Sequence, residues 1–171
     1  MQRAVIAAPL AILLIASGCK AATPLPESAA CDGIPQIAMQ GRVTDAANIL
    51  SGTEEGRLSN LLAEYEQRTT HQMVIATTPS LHGARVGNFG TCLGNRWRVG
   101  SEDKDDGILI LIAPNERQMR IATGLGMEKV LTDDKALGVV QQMMPYFKSL
   151  DYAAGLSHGI ELIAAETGEV K

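Results

Sequence analysis

The stretch Gly107-Ile-Leu-Ile-Leu-Ile-Ala113 is apolar at every position and is the strongest strand signal in the sequence. A strand with no polar side chain is typical of the centre of a sheet, where both faces are buried. The segment 72–78 contains the shorter apolar run Met73-Val-Ile-Ala76, which includes β-branched residues and predicts a second buried strand. Two such strands indicate a sheet that needs a covering layer on each face.

The residues after the central strand predict a β-hairpin. The segment 114–117 has the composition of a turn, and 118–123 alternates between polar and apolar side chains. This alternation is expected of an edge strand with one face in solvent. Pairing Ala113 with Gln118 across the turn sets the register of the hairpin.

Helices are predicted around the strands. The spacing of Ser51 and Glu54 is that of a capping box, which marks a helix start. The predicted elements are a helix from Ser51, a strand over 72–78, a helix over 86–97, the hairpin, a helix capped by Thr132 and ended by Pro145, and a helix capped by Asp151. A crossover helix between two buried strands predicts a right-handed parallel connection. The expected fold class is α/β, a three-layer α/β/α sandwich with a small mixed sheet, a buried central strand and an edge hairpin on its C-terminal side.

The first residues have the features of an export signal. Arg3 precedes an apolar run over 4–16, and the small residues Ala16-Ser-Gly stand directly before Cys19. The run is shorter than the roughly 20 residues of a membrane-spanning helix. We predict a signal peptide over 1–18 and a lipid on Cys19, because the pattern resembles a bacterial lipobox. A plain secreted protein with an incidental cysteine is the alternative.

The predicted location is the cell envelope, on the periplasmic side. Several acyl chains on Cys19 would give stable anchoring. Lys20 follows the cysteine where an aspartate would retain a lipoprotein in the inner membrane, so by resemblance to the sorting rule of Gram-negative lipoproteins the outer membrane is favoured.

Domain boundaries follow from composition. The segment 19–40 is rich in alanine and proline and has no apolar period, which predicts a linker between the lipid and one domain over 41–165, with a tail over 166–171. Cys31 and Cys92 remain once Cys19 is assigned. A disulfide between them and a buried free thiol at Cys92 both fit an exported chain.

Acidic residues are expected to gather at the open end of the hairpin. If the hairpin register continues past the strands, Asp106 lies opposite Leu125 and Asp103 lies opposite Glu128. Close carboxylates repel one another unless a positive charge lies between them. Ca²⁺ accepts irregular sets of roughly six to eight oxygen ligands. The candidate metal ligands are Asp45, Asp105, Asp106, Glu128 and Asp133.

A solvated acidic surface is the alternative to a cation site, with Asp45 and Asp133 acting only as turn or cap residues. The spacing is not that of an EF-hand, because Gly107 stands one place early. The net charge of −4 and the lack of a basic stripe argue against a nucleic-acid partner.

Other short motifs predict no chemistry. Gly155-Leu-Ser157-His-Gly159 matches the nucleophile pattern of hydrolases but falls inside a predicted helix, where small residues for close helix packing are the simpler interpretation. Gly124-Leu-Gly126 is followed by Lys129 where a dinucleotide motif has its third glycine, so no nucleotide cofactor is expected. The three histidines, His71, His82 and His158, lack metal-ligand spacing and are assigned no role.

A series of short motifs in fixed order resembles the TPM domain family. The motifs are Val43-Thr-Asp45-Ala-Ala47 with Leu50-Ser51, Gln72-Met-Val-Ile, Trp97-Arg-Val-Gly100, Asp105-Asp106-Gly107, Arg120-Ile-Ala-Thr-Gly124-Leu-Gly126-Met-Glu128 and Leu131-Thr-Asp133. The resemblance covers about residues 41–163. Asp106 stands where the family often has asparagine, and Met127 stands where leucine is usual.

The resemblance implies a Rossmann-like α/β/α domain, cation binding in some members, and an acid phosphatase activity proposed for a plant member. Some relatives assist the assembly or repair of membrane complexes. Two functions are therefore expected: an envelope module that binds a divalent cation and an unidentified protein partner, or a weak metal-dependent acid phosphatase.

Overall fold

The structure, a computed structural model, describes residues 31–168. The predicted signal peptide over 1–18, Cys19, the first part of the predicted linker and the last residues of the tail lie outside the described residues. The elements in chain order are β1 Val43–Asp45, α1 Gly52–Thr69, β2 Met73–Thr77, α2 Val86–Trp97, β3 Ile108–Ala113, β4 Gln118–Thr123, α3 Asp133–Lys148 and α4 Tyr152–Thr167.

The strands form one sheet in the order β1-β2-β3-β4. The first three strands are parallel, and β4 pairs antiparallel with β3. Ala113 pairs with Gln118, which confirms the predicted hairpin register. All six residues of β3 are buried, so the apolar run is the covered centre of the sheet, as predicted.

Helices cover both faces of the sheet. One face carries α1, α3 and α4 over the core side chains that include Ile75 and Ile110. The other face carries α2 over the side chains of Val74 and Leu109. The alternation of neighbouring residues between the two cores follows from the two-residue period of a strand. The three-layer α/β/α architecture is therefore confirmed.

The two parallel connections differ in hand. Both step in the same direction across the sheet, from β1 to β2 and from β2 to β3. Their helices nevertheless cover opposite faces, with α1 on one side and α2 on the other. Two connections that move in the same direction across a sheet but place their helices on opposite faces have opposite hands. One of the two connections is therefore right-handed, as the general rule expects, and the other is left-handed.

Strand β1 was not predicted. It has three residues, and the side chains of Thr44 and Asp45 interrupt any apolar signal. Pairing with β2 stabilises the extended conformation of these residues: Val43 lies beside Ile75 in the parallel ladder. Sequence patterns indicate such a short strand poorly, since its formation depends on the neighbouring strand.

The helix starts follow the predicted caps. Ser51 Oγ accepts a hydrogen bond from the Glu54 amide at 3.3 Å, and the Glu54 carboxylate accepts one from the Ser51 amide at 2.7 Å. The Ser51 amide, together with the Ser51 hydroxyl, which also donates to the Glu54 carboxylate at 2.7 Å, holds the pKa of Glu54 below its usual value. Thr132 and Asp151 cap α3 and α4 in the same way, through the amides of residues three positions later.

The predicted end of α3 at Pro145 is wrong, because the helix continues to Lys148. Proline removes one backbone hydrogen bond and disfavours a continuing helix. Packing after the proline favours the last turn: the Phe147 ring lies 5.3 Å from the Tyr152 ring, and a Cβ on Gly155 would collide with Phe147. Tertiary contact thus overrides the local signal.

The glycines of the predicted helix over 152–167 serve close packing, as expected. A Cβ on Gly155 or Gly159 would overlap the side chains of Phe147 and Met143 on α3. Ser157 between them donates its hydroxyl to the carbonyl of Ala153 at 2.8 Å. The Gly-x-Ser-x-Gly pattern is therefore a contact between two helices.

Part of the segment predicted as a linker packs against the domain. Cys31 and Ile34 are buried, and Cys31 forms a disulfide with Cys92 of α2. The Arg96 guanidinium donates to the carbonyl of Ile34 at 2.9 Å, and the Trp97 indole donates to the carbonyl of Ile37 at 2.8 Å. Contacts with the domain therefore reach at least as far back as Cys31, and the disulfide alternative is confirmed.

The predicted tail also begins too early. Helix α4 ends at Thr167, which is buried and lies with its hydroxyl 2.9 Å from the hydroxyl of Tyr65 on α1. Glu166 forms an ion pair with Lys135 of α3 at 2.9 Å. Within residues 31–168, no helix is long and apolar enough to cross a membrane.

Candidate functional site

An acidic cleft of about 590 Å³ opens at the outer end of the hairpin, where β4 leaves the sheet. One wall comes from the second half of α2, and the other comes from the segment between β4 and α3. The acidic cleft is lined by Thr91, Asn95, Asp105, Arg120, Ala122, Thr123, Gly124, Leu125, Glu128, Leu131 and Asp133.

The backbone holds Asp105 at the rim of the acidic cleft. Its φ of 49° lies in the left-handed region, which turns the chain sharply before β3. Its carbonyl accepts a hydrogen bond from the Gly126 amide at 2.9 Å, and its carboxylate accepts one from the Leu125 amide at 3.0 Å. A Cβ on Gly126 would overlap the carbonyl of Lys104, so this close approach requires glycine.

Glu128 and Asp133 bring two more carboxylates to the acidic cleft. Asp133 opens α3, where the helix dipole favours an acidic side chain, and it is 84% exposed. Arg120 of β4 donates to Asp133 at 2.8 Å. Among the lining residues the structure describes, three carboxylates face one guanidinium, so the acidic cleft carries net negative charge.

Asp106 does not join the acidic cleft. Its side chain is buried, accepts a hydrogen bond from the Ser101 amide at 2.9 Å and lies 2.8 Å from the Nδ1 atom of His71. Burial acts to raise the pKa of Asp106, but the hydrogen bonds from Ser101 and His71 and the charge of His71 outweigh it and lower the pKa. The sequence prediction that Asp106 faces the other carboxylates is corrected, because its side chain points inward.

Asp45 lies at the opposite end of the sheet. It ends β1 beside Thr77, at the carboxyl end of the parallel strands, whereas the acidic cleft lies beyond the amino end of β3. Its carboxylate accepts hydrogen bonds from the Leu50 amide at 2.8 Å and from the Thr77 hydroxyl. Asp45 therefore shapes the entry to α1 and is separated from the other candidate ligands.

Three of the five candidate ligands line the same cleft: Asp105, Glu128 and Asp133. The described part of the chain contains no group of three His, Cys, Asp or Glu side chains already close enough together to hold a metal ion. The extrapolated ladder also stops early, since regular pairing ends at Ile108 and Thr123. Two bonds continue its register, from the Gly124 amide to the carbonyl of Gly107 and from the Gly126 amide to the carbonyl of Asp105, each at 2.9 Å.

Two polar residues that line the acidic cleft were not predicted from the sequence. Thr91 and Asn95 are four residues apart and so lie on one face of α2, where they contribute a hydroxyl and an amide. Their four-residue spacing within the predicted helix is a signal that was present in the sequence. His71 was assigned no role, and nothing in its spacing pointed to Asp106.

The donor set of the acidic cleft is made of oxygens. Carboxylates from Asp105, Glu128 and Asp133, with the side-chain oxygens of Thr91 and Asn95, are the ligand types that hard divalent cations take. An irregular and exposed arrangement of this kind fits Ca²⁺ better than Mg²⁺, which requires near-octahedral geometry. The described residues form no assembled cation site, so Ca²⁺ binding in the acidic cleft stays a prediction from the chemistry of its donors.

The fold and the acidic cleft define an α/β/α domain with an acidic end to its edge hairpin. The sequence matches the TPM domain family over residues 43–166. Because the match covers most of the chain, the protein belongs to the TPM domain family. No curated protein matches the sequence significantly.

Several solved structures share the fold. The N-terminal domain of a Porphyromonas gingivalis protein is 29% identical, with a TM-score of 0.64 over 72% of this chain and 79% of that one. The N-terminal domain of a Corynebacterium glutamicum protein is 14% identical, with a TM-score of 0.61 over 80% and 86% of the two chains. The BA42 protein of Bizionia argentinensis is 20% identical, with a TM-score of 0.61 over 71% and 86%.

Proposed function

We propose that this TPM-domain protein is held in the cell envelope by a lipid on Cys19 and acts there as a divalent-cation-binding interaction or assembly module. The lipobox-like sequence before Cys19 supports the anchor. The disulfide between Cys31 and Cys92 supports export, because disulfides persist in oxidising compartments.

The observation that carries the proposal is the convergence of Asp105, Glu128 and Asp133 on one cleft. These side chains come from three separate segments, so their meeting depends on the fold. A cation that joins them would bind the folded state alone and would therefore stabilise it. Ca²⁺ is the expected ion, for the geometric reason given above.

A module is favoured because the rim of the acidic cleft has the character of a contact surface. Leu125 is 72% exposed and lies directly beside Asp105, which fixes its amide. An exposed apolar side chain next to a cation site is suited to a partner whose own acidic groups complete the coordination of the ion. The cation would then regulate binding of an envelope protein.

Arg120 is the observation that favours the second function, a weak metal-dependent acid phosphatase. It lies in the acidic cleft beside Asp133, where a guanidinium can bind a phosphate. Such an enzyme would use the cation to polarise a phosphoryl oxygen. Metal-dependent cleavage of p-nitrophenyl phosphate that is lost in Asp105→Asn and in Glu128→Gln would support it; activity that survives both substitutions would come from elsewhere.

The cation proposal is tested by thermal unfolding of the full-length Cys19→Ser protein in chelator and in Ca²⁺. At a hundredfold excess over Kd, the added stability should be about 2.7 kcal/mol, which raises Tm by several degrees. Mg²⁺ should raise Tm less. Asp105→Asn and Glu128→Gln should each reduce the calcium shift.

Asp45→Asn is the matched control for these variants. It removes a carboxylate of the same kind from the other end of the sheet, so it should lower Tm in both solutions and keep the calcium shift. A wild-type Tm that does not respond to Ca²⁺ would show that the acidic cleft is a solvated surface.

A further inference from the structure

A second groove of about 860 Å³ lies at the other end of the sheet, beyond the carboxyl ends of the parallel strands. Three loops form it: the segment after β1 contributes Ile49, the segment after β2 contributes Pro79, and the hairpin turn contributes Arg117. The end of α3 and the start of α4 close it from the side. We call this the carboxyl-end groove; it shares no residue with the acidic cleft.

The topology of the sheet creates the carboxyl-end groove. After β1 the chain turns to α1 on one face, and after β2 it turns to α2 on the other face. Adjacent loops that leave in opposite directions open a crevice between them, and in open α/β sheets this crevice is where ligands bind. The position of the groove therefore points to a binding site independently of its lining.

The wall of the carboxyl-end groove is apolar and partly exposed. Met119, Met144, Phe147 and Tyr152 contribute adaptable thioethers and aromatic rings. At the rim, Leu150 is 73% exposed. Its φ of 63° belongs to the Schellman motif that ends α3, in which the Asp151 amide donates to the carbonyl of Tyr146 at 3.0 Å.

The charge of the carboxyl-end groove is positive. Arg117 and Lys148 line it, and the described lining residues include no aspartate or glutamate. Neither cation is part of an ion pair in the part of the chain that the structure describes. In a protein of net charge −4, an apolar concavity with two unpaired cations is complementary to an apolar ligand that carries a carboxylate.

We propose that the carboxyl-end groove binds the C-terminal end of a partner protein, where an apolar side chain stands next to the terminal carboxylate. The apolar side chain lies against Met119 and Phe147, and the carboxylate pairs with Arg117 and Lys148. The exposed Gln118 side chain in the same wall is available for the peptide backbone. A bilayer surface would touch only the rim of such a concavity, which favours the peptide.

The test is an NMR titration of the ¹⁵N-labelled, full-length Cys19→Ser protein with synthetic peptides. The probe is a pentapeptide that ends in leucine and phenylalanine with a free carboxylate. It should produce saturable shifts at the amides of Ile49, Met119 and Leu150. The same peptide with an amidated end should bind about tenfold more weakly, because a hydrogen-bonded charge is lost. A matched peptide that ends in two serines should cause no shift.

Protein variants give the second arm. Arg117→Gln combined with Lys148→Gln should weaken binding of the free-acid peptide about tenfold. Arg57→Gln, which removes an exposed cation from α1, should leave the affinity unchanged. Glu128→Gln in the acidic cleft should also leave the affinity for the peptide unchanged. The peptide proposal and the cation proposal are therefore tested independently of each other.

Three results would overturn the proposal. The first is equal affinity for the acid and amidated peptides, and the second is the absence of saturable shifts with either. The third is a response of the same amides to phosphatidylglycerol vesicles but not to peptide, which would assign the groove to the membrane surface.

Discussion

The Nδ1 atom of His71 lies 2.8 Å from the Oδ2 atom of Asp106, and the second carboxylate oxygen accepts the Ser101 amide at 2.9 Å. This pair joins the chain just before β2 to the loop just before β3. Asp106 is almost fully buried, whereas its neighbour Asp105 is exposed at the acidic cleft. Two adjacent aspartates thus have different roles, one structural and one available to a ligand.

Replacing the buried member of this pair should destabilise the fold. Asp106→Asn removes a charged acceptor, so the free energy of unfolding should fall by about 1–3 kcal/mol at neutral pH. Urea denaturation of both proteins measures this difference in the free energy of unfolding. Asp103→Asn in the same loop is the control, since that residue is exposed and should change stability by less than about 0.5 kcal/mol.

The same substitution predicts a pH dependence. The folded state lowers the pKa of Asp106 below its ordinary value of 3.8, so its stabilising effect is present above that value and is lost as pH falls through the folded pKa. The difference between wild type and Asp106→Asn should therefore shrink as the pH falls through the folded pKa of Asp106. A difference that grows in acid would contradict this role for Asp106.

The convergence of Asp105 and Glu128 could be predicted from the sequence because the hairpin register can be counted from its turn. The inward direction of Asp106 could not. The left-handed conformation of Asp105 breaks the alternation of a strand. His71, the partner of Asp106, is 35 residues away from it in sequence. A local pattern contains no information on such a contact.

The misplacement of Asp45 has a different cause. Because β1 was not predicted, the sequence did not indicate at which end of the sheet the loop before α1 lies. Three residues of parallel pairing then place Asp45 beside Thr77, far from the hairpin end. The burial of Cys31 was missed for a related reason, since its contacts come from α2, 61 residues later.

The disulfide should contribute strongly to stability. The sequence separation of Cys31 and Cys92 is 61, and closing a loop of this length corresponds to on the order of 4 kcal/mol in the chain-entropy model. Cys31→Ser with Cys92→Ser should therefore lower the free energy of unfolding by a comparable amount. Hydrogen exchange should also show faster opening of the segment before β1. Unchanged exchange there would mean that Arg96 and Trp97 hold this segment without the disulfide.

The proposed anchor predicts that labelled fatty acid enters the wild-type protein and does not enter Cys19→Ser. The variant should be found in the soluble fraction of the exported compartment, because the acyl chains supply the membrane affinity. Cys92→Ser is a matched control and should keep the label. Equal labelling of wild type and Cys19→Ser would contradict the anchor, and fractionation with the inner membrane would contradict the outer-membrane assignment alone.

Gly126 tests whether backbone geometry, in addition to the carboxylates, makes the acidic cleft. A Cβ at this position would overlap the carbonyl of Lys104, so Gly126→Ala should push the loop that holds Asp105 away from Glu128. Both stability and the calcium-dependent rise in Tm should decrease, although no carboxylate has been changed.

Gly138→Ala is the opposite control, because a Cβ there meets nothing within 4 Å. Alanine in the interior of α3 should raise stability by up to about 1 kcal/mol and leave the calcium shift intact. Thermal unfolding of both variants, with and without Ca²⁺, separates the two effects. Gly126→Ala should change the distance between the carboxylates of Asp105 and Glu128. If this variant keeps the full calcium shift in Tm, the ion does not bind between these two side chains.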